Sequence, residues 1–375
     1  MNKICVIIPV FNNENTIKNV VLQAQKYVST NIIVINDGST DATARILNEF
    51  EGVAVYHFTK NRGKGAALRK GFETALNRGY THAVTLDADG QHFCEWIELA
   101  KEACEKEPGK LLIGARTGEN IGEIPPKKNV FARNFANTWI KNYTGFSLND
   151  TQSGFRVYPL EKMKNIKFKA SRFEFEQEVL VKSAYAGVEL GEFAIPQYYQ
   201  PQNERVSHYR TFRDSARISW FFTKTGFKKI RGVFISELKS NVSPNKAAVS
   251  FSVGIFFGIF PIYGFQTASV ILVATLLKIN RPLAVLGTMI SIPPMIPFII
   301  LAAVWLGSAV FGSTVGDTQN VKHLSALFFE NRSAFFIESG KYFIVGSVIL
   351  AVIAGVLAYL IAYPVCKTLK KTLPH

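Results

Sequence analysis

The sequence predicts an α/β domain with a mostly parallel sheet and helices on both faces, followed by an all-α membrane domain. Short apolar runs alternate with helical patterns through the first hundred residues, as in sheets whose strands are covered on both sides. Further on, the stretches 247–277, 282–316 and 342–366 contain no charged residue. Each is longer than the roughly 20 residues that one helical membrane crossing needs.

These patterns place the boundaries of three segments. Residues 1–218 are predicted to form the α/β domain, 219–246 a basic amphipathic juxtamembrane segment, and 247–375 the helical membrane domain. From residue 200 to residue 246, ten Lys and Arg residues stand against three acids. Such a segment is expected to lie against anionic lipid headgroups on the cytoplasmic side of a membrane.

Composition narrows the classes of function and the compartment. The net charge is +15, but 48% of the residues are hydrophobic, which is unusual for a simple nucleic-acid binder, and we expect no nucleic-acid partner. The first ten residues lack the apolar core of a signal peptide, and four scattered cysteines indicate a reducing compartment. We therefore expect a multi-pass protein of the inner or cell membrane, with its α/β domain in the cytoplasm.

The predicted elements of the α/β domain follow from apolar runs and the polar turns between them. Strands are predicted at 3–10, 31–36, 53–58, 81–86 and 111–115, separated by helices. A Gly- and Pro-rich loop is predicted at 117–128, followed by a helix at 129–143 with interleaved aromatic and basic residues.

Two common nucleotide-binding folds do not fit the sequence. A dinucleotide-binding fold needs Gly-x-Gly-x-x-Gly directly after its first strand. Here Gly63-Lys64-Gly65 follows the third strand and position 68 is Leu, and the chain contains no Gly-x-x-x-x-Gly-Lys-Ser/Thr loop. The sequence therefore disfavours a dehydrogenase and a P-loop NTPase.

Two carboxylates, Asp87 and Asp89, stand where the fourth strand ends, with Gly90 behind them. Ligands of open α/β sheets collect beyond the carboxyl ends of the strands. Carboxylate oxygens at this position can bind Mg²⁺ or Mn²⁺, which proteins often share with the phosphates of a substrate. An Asp-x-Asp after a strand can also be a simple turn.

Five segments together resemble the family 2 glycosyltransferases with a GT-A fold, in the branch that contains dolichol-phosphate mannose synthase. The segments are Ile8–Glu14, Asn36–Asp41, Asn61–Ala67, Asp87–His92 and Asp150–Arg156, and they occur in the order that the family has. The resemblance covers roughly residues 1–215. It implies a hexosyltransferase that uses a nucleotide-sugar donor and a divalent cation.

The resemblance also implies roles for individual residues. The base and ribose of the donor would be held by Pro9, Phe11, Asn12, Glu14 and Asp37. Asp89 would be the principal metal ligand, with Asp87 and Gln91 completing the protein's share of the coordination. At position 36, directly before Asp37, this chain has Asn where many members of the family have another Asp.

Further candidate residues lie outside the metal loop. Lys64 is predicted near a helix N-terminus that favours anions, although the glycines beside it can equally serve close packing. Asp150 is the candidate general base. Arg156 can bind a phosphate or carboxylate through two parallel hydrogen bonds. Arg205 and Arg210 resemble the basic loop that closes on the donor diphosphate in this family.

The apolar C-terminal part resembles a Pro- and Gly-containing membrane domain family of unknown function that is often fused to such transferases. The matching segments are Gly258–Thr267 and Asn280–Leu283. The flanking charges predict that the first apolar run enters and leaves the membrane on one side, broken at 261–264. The other two runs are predicted to cross fully, with the basic tail inside.

These observations predict a membrane-anchored, inverting glycosyltransferase that moves a sugar from a UDP- or GDP-sugar to a lipid at the cytoplasmic leaflet. Polyprenyl phosphate is the leading acceptor, because a phosphate monoester is largely ionised at neutral pH and needs cations more than a base. One alternative is a glycolipid synthase that uses a lipid hydroxyl such as that of diacylglycerol, which needs a general base. Another is a non-catalytic nucleotide-sugar-binding or lipid-carrier subunit.

Overall fold

The computed structural model of the protein describes residues 2–90, 93–122, 127–199, 232–240, 242–262, 265–291, 295–312 and 332–372, together with the single positions 217, 218, 221 and 225. The chain divides into two compact units, Met1–Ile218 and Ser219–His375. The first is an α/β unit and the second is helical.

The α/β unit contains seven strands and seven helices in its described parts. The strands are β1 (Ile4–Val10), β2 (Ile32–Asn36), β3 (Ala54–His57), β4 (His82–Thr85), β5 (Leu111–Gly122), β6 (Arg156–Pro159) and β7 (Leu190–Tyr199). The helices are α1 (Ile17–Val28), α2 (Thr43–Leu47), α3 (Lys64–Asn77), α4 (Trp96–Lys106), α5 (Lys127–Thr144), α6 (Leu160–Met163) and α7 (Phe175–Tyr185).

All seven strands form one sheet in the order β3-β2-β1-β4-β6-β5-β7. The first four strands run parallel to one another, β5 is parallel to β7, and only β6 runs antiparallel to its two neighbours. The predicted mostly parallel sheet is confirmed. The carboxyl ends of β1, β2, β3 and β4 therefore meet at one edge.

Helices cover both faces of this sheet, as the apolar runs predicted. On one face, Val6 and Ile8 of β1 pack in a cluster with residues of α1 and α4. On the other face, Ile7 lies against Gly71 of α3, where an added Cβ would lie 2.5 Å from the Ile7 side chain. Because successive strand residues face opposite sides, a strand that is buried on both faces must be apolar throughout.

The loop predicted from residue 117 is in part a strand. β5 continues to Gly122, with Asn120 paired to Gln197 after an irregularity in the register that follows Arg116. Gly118 makes the close pairing possible, because a Cβ there would lie 2.9 Å from the carbonyl oxygen of Ile195. The Gly content suggested a loop, but hydrogen bonds to a distant strand decided the structure.

The second unit consists of helices in its described parts. They are residues 232–239, then α8 (Pro244–Ile259), α9 (Gln266–Leu276), α10 (Arg281–Thr288) with a 3₁₀ turn at Met289–Ser291, α11 (Ile296–Val310) and α12 (Arg332–Thr372). α8 packs against α10 and α12, and α11 packs against α12.

Only the third apolar run forms a helix of spanning length among the described residues. Within α12, Ile337–Thr372 is long and apolar enough to cross a membrane. The first run is broken as predicted, since α8 ends at Ile259 and α9 begins at Gln266. The second run is also broken, between α10 and α11. α11 has 15 residues, so its length is roughly 22 Å, which is less than the ~30 Å thickness of the hydrocarbon core of a bilayer. The prediction that this run crosses fully is not supported, and neither is the predicted multi-pass topology, because the described residues contain one helix of spanning length.

Large apolar side chains cover the outer surface of these helices. Six of them on α9, α11 and α12 are at least 44% exposed: Leu272, Leu276, Phe298, Trp305, Ile353 and Leu360. Exposed apolar surface of this kind is typical of sites that contact a protein partner or a membrane.

The contact between α11 and α12 depends on two glycines. An added Cβ at Gly346 would overlap the carbonyl oxygen of Ala303, and one at Gly307 would overlap that of Tyr342. In lipid, helices associate through such close backbone approach rather than through the hydrophobic effect.

We expect Gly346→Ala to lower the unfolding free energy by roughly 1–3 kcal/mol, because the methyl group must push the two helices apart. Thermal unfolding of the full chain in detergent measures the loss. The matched control is Gly355→Ala on the same helix, where the added Cβ would meet Phe256 at an ordinary 3.5 Å. Equal melting temperatures for the two variants would contradict this packing.

Candidate active site

The two carboxylates of the predicted metal loop lie at the sheet edge formed by the carboxyl ends of the parallel strands. Asp87 and Asp89 follow β4, and Gly90 has a φ of 75°, a conformation that glycine adopts without strain. Thr16 donates its hydroxyl to the carbonyl of Ala88 at 2.6 Å and holds the loop against the start of α1. Gln91 and His92 lie outside the described residues.

Lys64 lies between two carboxylates. Its Nζ is 2.6 Å from Asp87 Oδ1 and 2.8 Å from Glu176 Oε1. Burial alone would lower the pKa of the ammonium, but the two carboxylates raise the pKa above its usual range. Lys64 therefore stays protonated, and its ammonium group is already paired with two carboxylates of the protein. Its predicted contact with the donor stays a prediction.

Glycines allow these three side chains to meet. An added Cβ at Gly154 would lie 2.9 Å from Asp87 Oδ2 and 3.0 Å from Lys64 Nζ. At Gly65 it would lie 2.5 Å from the Cβ of Phe175, the residue before Glu176. The glycines beside Lys64 thus serve close packing, one of the two interpretations of that segment.

Asp37 organises the turn that precedes α3. It is buried, and its two oxygens accept the backbone N–H groups of Arg62 and Gly63 at 2.7 and 2.8 Å. Burial raises the pKa of this carboxyl, while the two hydrogen bonds act in the opposite direction. A direct contact with the donor's base or ribose stays a prediction.

The other residues predicted to bind the donor's nucleoside join the loops after β1 and β2. Asn12 donates its N–H to the Ser39 hydroxyl and accepts the N–H of Thr40, and its φ of 51° is one that Asn tolerates. Glu14 accepts the N–H of Ala42 at the start of α2. Pro9 is buried in β1, and Phe11 beside it is partly buried. These contacts fix the loops in one arrangement, but they do not test binding of a nucleotide.

Asp150, the candidate base, is held in an ion pair. It is 0% exposed, and Arg116 donates to both of its oxygens, from Nε at 2.6 Å and from Nη2 at 3.0 Å. The N–H of Gln152 adds a further bond at 3.3 Å. A fully buried carboxylate that is bound by a bidentate guanidinium is poorly placed to take a proton from an incoming hydroxyl.

The predicted contact of Arg156 with a phosphate does not fit the structure. Its side chain is fully buried and donates to three backbone carbonyls, those of Ser153, Thr151 and Glu176, at 2.7–3.0 Å. It therefore has no accessible surface to offer to a ligand. Sequence alone does not distinguish an arginine that binds a phosphate from one that binds carbonyls.

Arg133 lies on α5 and is partly buried. Its Nε and Nη1 are buried and have no hydrogen-bond partner among the described residues. One turn later, Asn137 donates to the carbonyl of Asn149 and accepts the N–H of Thr151. Residues four apart share a helix face. Arg133 therefore lies on the face of α5 that packs against the loop containing Asp150.

Sequence reasoning missed Glu176 and the pairing partner of Asp150. In the sequence, Glu176 is typical of the acids found near the start of a helix, and Arg116 directly follows the strand predicted at 111–115. No local signal reports that Glu176 meets Lys64, because the contact is made between the starts of two different helices. Arg205 and Arg210 lie outside the described residues.

The oxygen ligands at the loop suit a shared divalent cation better than a closed metal site. No group of three or more His, Cys, Asp or Glu side chains in the described parts of the chain is arranged to hold a metal. Mg²⁺ is commonly held by one or two carboxylates together with substrate phosphates. The pair Asp87 and Asp89 fits that requirement.

Known proteins match the chain in two regions. The family described as "Glycosyl transferase family 2" matches residues 5–166. An uncharacterized protein of Methanocaldococcus jannaschii is 32% identical over 204 residues, which cover 53% of this chain and 82% of that protein. The UDP-N-acetylglucosamine–dolichyl-phosphate N-acetylglucosaminyltransferase of Methanococcus voltae is 30% identical over 219 residues, which cover 52% of this chain and 86% of that enzyme. The chain belongs to glycosyltransferase family 2.

The family predicted from the five segments is thus confirmed, and the protein is a glycosyltransferase. A polyprenol monophosphomannose synthase of Mycolicibacterium smegmatis is 31% identical over 173 residues, which cover 44% of this chain and 64% of that enzyme. A solved glucosyl-3-phosphoglycerate synthase from Mycobacterium tuberculosis has a TM-score of 0.45 and 16% identity over 60% of this chain and 77% of that chain. Residues 228–372 match the family "Uncharacterized protein conserved in bacteria (DUF2062)", which confirms the second resemblance.

In this family 2 glycosyltransferase we expect Arg156→Lys to cost roughly 3 kcal/mol of unfolding free energy, because a lysine cannot replace three carbonyl contacts. Denaturant unfolding of the full chain measures the loss. Arg69→Lys is the control, since Arg69 makes one carbonyl contact, to Phe168. If Arg156→Lys keeps wild-type stability but loses activity, Arg156 contacts a ligand after all.

Proposed function

We propose that this glycosyltransferase moves a sugar, with inversion, from a UDP- or GDP-sugar to polyprenyl phosphate at the cytoplasmic leaflet. The observation that carries the choice of acceptor is the contrast between Asp150 and Arg133. The one candidate base is fully buried and bound by Arg116, whereas Arg133 is only partly buried and two of its guanidinium nitrogens have no hydrogen-bond partner among the described residues. The site supplies a cation for an acceptor more readily than a base.

A phosphate acceptor and a hydroxyl acceptor need different groups from the site. A phosphate monoester has a second pKa near 6, so its oxygen is already a nucleophile at neutral pH. It needs orientation, and a guanidinium provides that through charge-assisted hydrogen bonds. A lipid hydroxyl must lose its proton during the attack and needs a base within hydrogen-bond reach. The hydroxyl alternative is therefore disfavoured.

The names of the relatives support the same acceptor class. They include the dolichyl-phosphate N-acetylglucosaminyltransferase and the polyprenol monophosphomannose synthase, and also an undecaprenyl-phosphate mannosyltransferase of Micrococcus luteus that is 26% identical. Their sugars differ. We therefore extend the class of acceptor to this chain and leave the sugar open.

On the donor side, Asp87 and Asp89 would hold Mg²⁺ or Mn²⁺, with Gln91 as the third protein ligand expected from the family. The cation would stabilise charge on the departing diphosphate. The joined loops around Asn12 and Asp37 would receive the nucleoside without rearranging. Arg205 and Arg210 would close on the diphosphate, as the resemblance implies. Because the chain has all of these residues, a non-catalytic subunit is disfavoured.

The helical unit would hold the catalytic unit at the membrane. α12 has the required length, and the exposed apolar side chains of α9, α11 and α12 suit contact with lipid. The basic residues between 200 and 246, and Lys367, Lys370 and Lys371 in the tail, favour the cytoplasmic side. A lipid-linked acceptor phosphate would be reached there.

We expect Asp89→Asn to reduce transfer by about two orders of magnitude or more, because an amide cannot supply the charge that holds the cation. Turnover with labelled nucleotide-sugars and a native lipid extract, at millimolar Mg²⁺ or Mn²⁺, measures the effect. Glu49→Gln, which removes an exposed acid that pairs with Lys18, should leave turnover unchanged. Near-normal transfer by Asp89→Asn would refute the metal assignment.

The acceptor is tested by direct competition between polyprenyl phosphate and diacylglycerol for one labelled sugar. We expect label only on the polyprenyl phosphate. Arg133→Gln should raise the KM for that acceptor roughly tenfold or more, through loss of a charge-assisted contact. The KM for the donor should change little.

Lys141→Gln is the matched control, because Lys141 lies on the same helix and is exposed. It should leave both KM values unchanged. Product on diacylglycerol alone, abolished by Asp150→Asn, would establish the hydroxyl reaction in place of the phosphate reaction.

A further inference from the structure

Lys64, Asp87 and Glu176 form a charge cluster that the proposed reaction explains only in part. The ammonium contacts both carboxylates, at 2.6 and 2.8 Å. Asp87 has a place in the proposed metal site, whereas Glu176 has none. The three side chains are 17%, 24% and 12% exposed, so water screens their charges only weakly.

Local structure disfavours a cation at position 64. Lys64 is the first residue of α3, where the helix dipole is positive and repels an ammonium group. The first turn of α3 contains no acidic residue that would offset this. The ammonium therefore depends on carboxylates from other elements, Asp87 after β4 and Glu176 in the first turn of α7.

The start of α7 is held so that Glu176 reaches the ammonium. The carbonyl of Glu176 accepts a hydrogen bond from Arg156 Nη1 at 2.7 Å. The next residue, Gln177, donates its side-chain amide to the carbonyl of Thr151 at 3.1 Å. The residues that make these two hydrogen bonds are all buried. Glu176 is thus fixed by the same loop that covers Asp87 through Gly154.

We propose that Glu176 is a positioning residue for the metal site, which shares the ammonium of Lys64 so that Asp87 keeps enough negative charge to bind a divalent cation. This inference rests on the proposed function, because it takes Asp87 and Asp89 as the ligands. One positive and two negative charges leave the cluster at −1. An exclusive pair of Lys64 with Asp87 would be neutral.

The difference between a charge of −1 and a neutral pair matters because the cluster is shielded. At a given distance, Coulomb interactions are stronger where water is partly excluded, because the effective dielectric constant is lower. A neutral pair would attract Mg²⁺ or Mn²⁺ less than an anionic cluster does. With Glu176 present, Lys64 also keeps a partner when Asp87 turns to the cation, so that binding the metal does not leave a buried ammonium unpaired.

The test is Glu176→Gln in the full chain in detergent, with UDP or GDP as the diphosphate probe. The electron paramagnetic resonance signal of free Mn²⁺ reports binding. We expect the affinity for Mn²⁺ to fall roughly tenfold or more, as is usual when a group behind a metal ligand is removed. Transfer should recover at high Mn²⁺. Adding Lys64→Gln should return the affinity close to the wild-type value, because the competing ammonium is then absent.

Glu178→Gln is the matched control. Glu178 lies on the same helix, is buried, pairs with Lys182 at 2.7 Å and accepts the N–H groups of Lys169 and Ala170. Its loss should lower the melting temperature and leave Mn²⁺ binding unchanged.

An unchanged affinity in Glu176→Gln, or a double variant weaker than the single one, would overturn the inference. Failure of the wild-type protein to bind Mn²⁺ with either nucleotide is a different result. It would refute the proposed metal site, and this inference with it.

Discussion

The buried guanidinium of Arg156 is the interaction on which the rest of the catalytic unit depends. A charge removed from water costs several kcal/mol unless its polar groups are satisfied, and this one is bonded to the carbonyls of Thr151, Ser153 and Glu176. These three bonds join the turn before β6 to the start of α7. The turn carries Asp150, and the helix carries the carboxylate that meets Lys64. One buried cation therefore sets the geometry of both the proposed acceptor side and the proposed metal side.

The donor side is organised by backbone groups rather than by buried charge. Asp37 accepts two N–H groups from the turn before α3, and Asn12 exchanges hydrogen bonds with the loop after β2. Each loop is thus held by side chains from a neighbouring strand's end. Loops that are fixed before a ligand arrives lose less conformational entropy when it binds. The parallel sheet makes this possible, because it brings these loops to one edge.

The helical unit is held together in part by polar groups that pair between helices. Asn280 caps α10 through the N–H of Leu283, donates its amide to Glu237, and donates its own N–H to the Ser250 hydroxyl. One residue thereby joins three helical segments. A polar group that is removed from water costs free energy unless it is hydrogen-bonded, so such networks stabilise one arrangement of the helices.

The sequence by itself determined the first four strands of the sheet and the start of β5, the position of Asp87 and Asp89 after β4, and the charge-free runs of the helical unit; it did not indicate β6 or β7. Each follows from local pattern, because a strand covered on both faces must be apolar and a carboxylate pair after it needs no distant partner. It did not determine what Arg156 binds, whether Asp150 is available as a base, or that Lys64 is shared with Glu176. Those outcomes depend on burial and on contacts between segments far apart in the chain. Only the tertiary structure decides them, since a charged side chain looks the same in sequence whether it meets a ligand, a carbonyl or another charge.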